Sequence, residues 1–191
     1  MERRIDRVAD TRSRIERAAL KHFVEKGIAE TSIRDIATEA DISLGAMYNH
    51  FKSKDELSQY LFNSILNELS REMSYRALSK MPFPAKVESM VEYLFRQFDA
   101  DWLLTAFACT SRHKHLRENP DHPGNPMLIF RQLISDAMDK REIPKGDVDL
   151  KAAMMIGAIV QVIDSAILNR FKRPLAALAP ATAALCVKMV S

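Results

Sequence analysis

The sequence predicts an all-α fold in two parts, a three-helix N-terminal head of the helix-turn-helix kind and a larger helical body behind it. Three observations carry that prediction. Apolar residues recur three and four apart through most of the chain, with no alternating strand pattern. Ser32, Ser43 and Ser53 each stand one residue before such a run, where a hydroxyl accepts from an unpaired backbone N–H of the first turn. Gly27, Pro82, Pro84 and Pro126 fall where the runs begin or break.

In the head, the first helix stops at Gly27 and offers Ile15, Ala18, Ala19 and Phe23 as one wall of a small core. After Ser32, the residues Ile33, Ile36, Ala37 and Ala40 make one apolar face. Asp41 and Ile42 then form a turn, and Ser43 starts the next helix. There Met47 and Phe51 lie four apart and bury together, which turns Leu44, Gly45, Ala46, Tyr48, Asn49 and His50 outward. Such a short helix is stable only when held by its neighbours.

The caps differ in a way that bears on function. Ser32 with Asp35 and Ser53 with Glu56 complete capping boxes, whereas three residues past Ser43 stands Ala46. A carboxylate there would repel phosphates, while a bare helix N-terminus attracts them. A face of small residues, one amide, one phenol and one imidazole, with no acid until Asp55, suits the groove of double-stranded DNA.

The body reads as helix after helix. A long helix over 54–79 links it to the head, and Pro82 and Pro84 end it. Further helices are expected at 84–98, 101–116, 126–141 and 148–171. Asn125 caps a helix whose first residue is Pro126, and Gly146 and Asp147 precede the next. An interior proline is costly, so the last helix is expected to begin at Pro180, with 174–179 a separate turn. The boundary falls inside the linking helix, giving domains 1–58 and 59–191.

Ala152 to Leu168 is apolar nearly all round and needs cover on more than one side. With the final stretch it reads as half of a four-helix homodimer interface, built from Ile156, Ile159, Val160 and Ile163, with Leu178, Thr182, Leu185 and Met189 at spacings of four, three and four. Phe98, Trp102, Phe107, Phe130 and Met155 are candidates to line an apolar ligand pocket, and equally fit plain core. Cys109, His113, His115, Asp121 and His122 lack the paired spacing of a closed metal site, so no metal is expected. No nucleophile elbow, phosphate loop or acid–base pair is visible, so neither a cofactor nor catalysis is expected.

The formal charge of +3 says little. The basic excess is local: Arg3, Arg4, Arg7, Arg12 and Arg14 form an arm, and His50, Lys52 and Lys54 a rim, able to bracket one groove. Cys109 and Cys186 are far apart and imply no disulfide framework. The N-terminus has no apolar signal segment, and no run uninterrupted by polar residues is long enough for a bilayer, so a cytoplasmic location is expected.

From about Arg14 to Leu61 these residues resemble the TetR/AcrR transcriptional regulators, most specifically in Ser43, Gly45, Tyr48, His50, Phe51, Ser53, Lys54 and Leu57. The chain departs from the pattern at Asp41, where the family usually has Gly. The resemblance implies that Gly45, Ala46, Tyr48, Asn49, His50 and Lys54 lie at the DNA, with Tyr48, His50 and Lys54 on phosphates. Ser32, Ser43 and Leu44 complete the expected DNA-binding set. It also implies dimerisation through the last two helices and an effector pocket in the body. The expected function is a ligand-responsive repressor that binds a palindromic operator as a dimer and is released by a small-molecule effector of unknown identity. The alternative is an all-helical small-molecule binding protein or enzyme whose N-terminal bundle is only structural.

Overall fold

The computed structural model describes residues 2–171 and 174–191, with side chains from Asp10 onward, so the side chains of Arg3, Arg4 and Arg7 lie outside the described residues. Among the described residues the chain is helical throughout: α1 Glu2–Lys26, α2 Ile33–Glu39, α3 Leu44–His50, α4 Lys54–Ala77, α5 Phe83–Ala100, α6 Trp102–Glu118, α7 Pro126–Asp139, α8 Val148–Ile167 and α9 Ala179–Val190, with a 3-10 turn at Leu175–Leu178. It divides into two compact units, Met1–Ser64 and Ile65–Ser191. The division falls inside α4.

Local chemistry sets the helix ends of the first unit. Gly27 takes a φ of 84° and closes α1, its N–H donating to the Phe23 carbonyl at 3.0 Å. Ser32 Oγ accepts from the Asp35 N–H at 3.1 Å, and Asp35 Oδ2 accepts from the Ser32 N–H at 3.1 Å, so this capping box forms as expected. Accepting that N–H holds the Asp35 carboxyl below its usual range. At α4 the box is shifted. Ser53 Oγ accepts from the Glu56 N–H at 3.1 Å, but Glu56 Oε2 reaches past Ser53 to the Lys52 N–H at 2.7 Å. Ile15, Ala18, Ala19, Phe23, Ile36, Ala37, Ala40, Met47 and Phe51 are all buried and form the core of this unit with Leu57 and Leu61.

In the second unit, α5 packs against α9, and α7 against α8. Phe83, Val87, Met90, Val91 and Phe95 from α5 meet Phe130, Leu133 and Ile134 from α7 and Met155, Ile159 and Ile163 from α8 in one core. Helix ends are again tied by side chains. Lys86, almost fully buried, donates from Nζ to the Ala77 carbonyl at 2.7 Å and so caps the end of α4. Asp99 accepts from the N–H groups of Leu175 and Ala176, both at 2.8 Å, and fixes the 3-10 turn that precedes α9. Asn125 caps α7 with Pro126 in its first turn, and Asp147 caps α8.

Several expectations about this unit need correcting. Ile159 and Ile163 are each 2% exposed and pack inside their own chain, so neither is available to a partner. Ile156 and Val160 are half-buried at the edge of that face, while Leu150, Met154, Gly157 and Gln161 point outward. On α9 the buried face is Ala179, Thr182, Ala183, Cys186 and Val190. Met189 lies about a quarter turn and Leu185 about a third of a turn from its centre at 100° per residue, with Leu185 62% exposed. Phe107, Phe130 and Met155 are enclosed by packing rather than lining open space; Phe98 packs at the core's edge, and Trp102 is 44% exposed. By length and composition α8 passes the test for a helix able to cross a membrane, but Gln161, Asp164 and Ser165 interrupt it and Ala152, Met155, Ile159 and Ile163 turn one of its faces into the core, as in the core helix of a folded domain.

Candidate nucleic-acid interface

α3 is a seven-residue helix mounted on two buried side chains, Met47 at 0% and Phe51 at 3% exposure. Ser43 Oγ accepts from the Ala46 N–H at 3.1 Å, and no acid follows in the first turn. The opposite face is open: Ser43, Leu44, Gly45, Tyr48 and Asn49 are exposed, and Ala46 and His50 half-exposed. Tyr48 is 55% exposed, so its ring is not part of the core. These residues form one continuous outward face, as the spacing predicts.

Gly45 has no steric reason to be glycine within this chain. Its φ is not in the left-handed region, and a Cβ built there would meet only Ser43 Oγ, at 3.9 Å. Asp41 is the opposite case. It takes a φ of 52° in the turn between α2 and α3, the backbone conformation that the usual Gly would supply freely. Arg14 holds it there: one guanidinium nitrogen donates to the Asp41 carbonyl at 2.9 Å and to its carboxylate at 3.2 Å.

Several of the basic residues expected at DNA have partners within the chain. Lys54 Nζ donates to the carbonyls of Ala29 at 2.6 Å and Thr31 at 2.9 Å. Arg12 pairs with Glu16 at 3.0 Å and lies 4.3 Å from the Tyr60 ring centre and 5.1 Å from that of Phe51. Sequence reasoning missed the role of Lys54, because nothing local marks a carbonyl acceptor more than twenty residues away. Ser32 is exposed, but its hydroxyl serves the α2 cap.

The remaining constellation from the sequence does not assemble. Cys109 is buried, and that burial pushes its thiol up to about 12; His115 is buried, and His113 is exposed. His122 Nδ1 accepts from the Gly124 N–H at 3.0 Å. Among the described residues, no three His, Cys, Asp or Glu side chains gather in a metal-binding group.

Comparison with known proteins agrees with this geometry. The profile of bacterial regulatory proteins, tetR family, matches residues 15–61. The transcriptional repressor KstR2 of Rhodococcus jostii is 27% identical over 135 residues, a stretch that covers 69% of this chain and 66% of that protein. Other curated relatives align over less, down to 17% of their length. Among solved structures, the fatty acid degradation regulator FadR of Bacillus halodurans superposes with a TM-score of 0.80 at 19% identity, covering 93% of this chain and 94% of that one. FadR of Bacillus subtilis, solved in complex with stearoyl-CoA, gives 0.76 at 21% identity over 94% and 99%.

Proposed function

We propose that the chain, whose residues 15–61 match the tetR family profile, is a TetR-family regulator, a cytoplasmic DNA-binding repressor that binds a palindromic operator as a homodimer and is released by a small-molecule effector. One observation carries the DNA-binding part. The outward face of α3 offers a glycine that nothing in the chain requires, flanked by Tyr48, Asn49 and His50 and free of acids. Gly45 and Ala46 let the helix backbone approach closely, Asn49 supplies an amide for a base edge, and Tyr48 and His50 reach toward phosphates.

The homodimer reading rests on apolar surface that one chain leaves uncovered: Leu150 and Met154 on α8, and Leu185 and Met189 on α9. Two copies bring two α3 helices to successive major-groove faces, which matches a palindrome. The effector reading rests on the resemblance and on the apolar, methionine-containing interior of the second unit. Stearoyl-CoA is the first probe, because B. subtilis FadR holds it.

The test is binding of the purified full chain to a palindromic fragment from its own upstream DNA, across a range of salt. Binding whose affinity falls steeply with salt, and which a scrambled fragment does not share, supports the proposal. No preference for any upstream fragment would return the protein to the reading in which the N-terminal bundle is only structural.

A further inference from the structure

α3 is too short to hold its own direction, so whatever fixes its two ends decides where its outward face points. At the leading end, α2 stops on Asp41. The Asp41 N–H donates to the Thr38 carbonyl at 3.1 Å and the Ile42 N–H to the Ala37 carbonyl at 3.0 Å, a helix stop that turns on a left-handed residue. Asp41 takes that conformation, with a φ of 52°, although a residue with a Cβ resists it. Arg14 on α1 reaches across 27 positions to donate to the Asp41 carbonyl at 2.9 Å and to its carboxylate at 3.2 Å.

The trailing end is held from the same helix by different chemistry. Phe51, the C-cap of α3, is buried, and its ring centre stands 5.5 Å from that of Tyr60 on α4. The Arg12 guanidinium lies 5.1 Å from the Phe51 centre and 4.3 Å from the Tyr60 centre, within cation–π reach of both. Glu16, one turn further along α1, accepts from Arg12 Nε at 3.0 Å and steadies the side chain there. A single turn of α1 therefore touches both the turn that leads into α3 and the residue that ends it.

We propose that Arg12 and Arg14 are positioning residues: they set the direction of α3 by holding its two ends, and operator affinity depends on them through that geometry. The inference rests on the DNA-binding reading above and deepens it. Any charge that either guanidinium also lends to DNA is a separate contribution, and the test is built to cancel it.

That test is a pair of double-mutant cycles on the full chain, read as operator Kd well below the unfolding temperature, where a loss of general stability leaves affinity unmoved. The first combines Arg14→Met with Asp41→Gly. Glycine turns left-handed freely and needs no hold, so Arg14→Met should weaken binding about threefold more beside Asp41 than in the Asp41→Gly background. The second combines Arg12→Met with Tyr60→Leu, and Arg12→Met should again cost about threefold more while Tyr60 is present. A loss that is equal or larger in either partner-free background overturns the proposal, because the cation would then act without its partner. Should Arg12→Met fail to fold, the Arg14 cycle decides.

Amide hydrogen exchange of the free chain keeps this outcome apart from failure of the DNA-binding reading. Each arginine variant should speed exchange across 44–51 by about threefold or more and leave 15–25 of α1 at wild-type rates, since local opening follows local contacts. Exchange that rises equally across the whole first unit, or nowhere, overturns the proposal. Wild-type protein that binds no operator defeats the proposed function, and the exchange rates then decide by themselves whether the two arginines hold α3.

Discussion

Gly45→Ala separates what α3 needs for folding from what it needs for its partner. Gly45 is the second residue of α3, its φ is not left-handed, and the added methyl meets nothing nearer than Ser43 Oγ at 3.9 Å. Replacing glycine by alanine in a helix is worth up to about 1 kcal/mol, less in the first turn, because alanine loses less backbone entropy on folding. The melting temperature should therefore hold or rise, by roughly 2–4 °C at most for a chain of this size. Operator affinity should move the other way. If the helix backbone approaches the DNA at Gly45, the methyl holds it off and costs one or two close hydrogen bonds, about 1.4–2.8 kcal/mol, or 10- to 100-fold in Kd. Ala46→Glu sharpens the contrast: the carboxylate completes a capping box with Ser43 and favours the fold, while its charge repels phosphate. The assay pairs thermal denaturation with fluorescence anisotropy on labelled operator. A Gly45→Ala protein at least as stable as wild type that binds operator as tightly would refute the placement of α3 at the DNA.

Two further outcomes follow from burial. Leu185→Glu should give a folded, soluble monomer by light scattering at micromolar concentration, since Leu185 makes little core contact, whereas Ile159→Glu should fail to fold because an unpaired charge in the core costs several kcal/mol; a Leu185→Glu dimer would move the interface elsewhere. Cys109 gives a pH signature. Its thiol, held at about 12 against an ordinary value of 9.0, keeps its proton in the folded chain while the unfolded chain loses it, so stability falls as pH rises past 9. In urea unfolding this thiol should contribute a loss of about 1.4 kcal/mol between pH 8 and 10 that Cys109→Ala removes, leaving the share of Cys186, whose thiol burial also raises; an undiminished loss in the variant would assign the effect to other groups.

What the sequence determined by itself is what acts within a few residues. Ser32, Ser43 and Asn125 cap where they were expected to, Gly27 and the prolines punctuate, and Met47 and Phe51 set the outward face of α3, because a cap bond spans two or three residues and a helical face repeats every three or four. Even there, Glu56 chose the Lys52 N–H over that of Ser53, a detail of loop geometry rather than of residue type. Tertiary structure decided wherever sequence left two equivalent choices. α8 is apolar nearly all round, so its periodicity could not say which side faces the core, and packing turned Ile159 and Ile163 inward while leaving Leu150 and Met154 outside. On α9 the stripe of large residues lost the core to Ala179, Ala183 and Cys186, small side chains that let α5 approach closely. The cations show the same limit. Arg14 and Lys54 are basic wherever they stand, but whether such a charge meets a phosphate or a carbonyl depends on which backbone the fold brings within 3 Å, and those carbonyls come from residues 23 to 27 positions away.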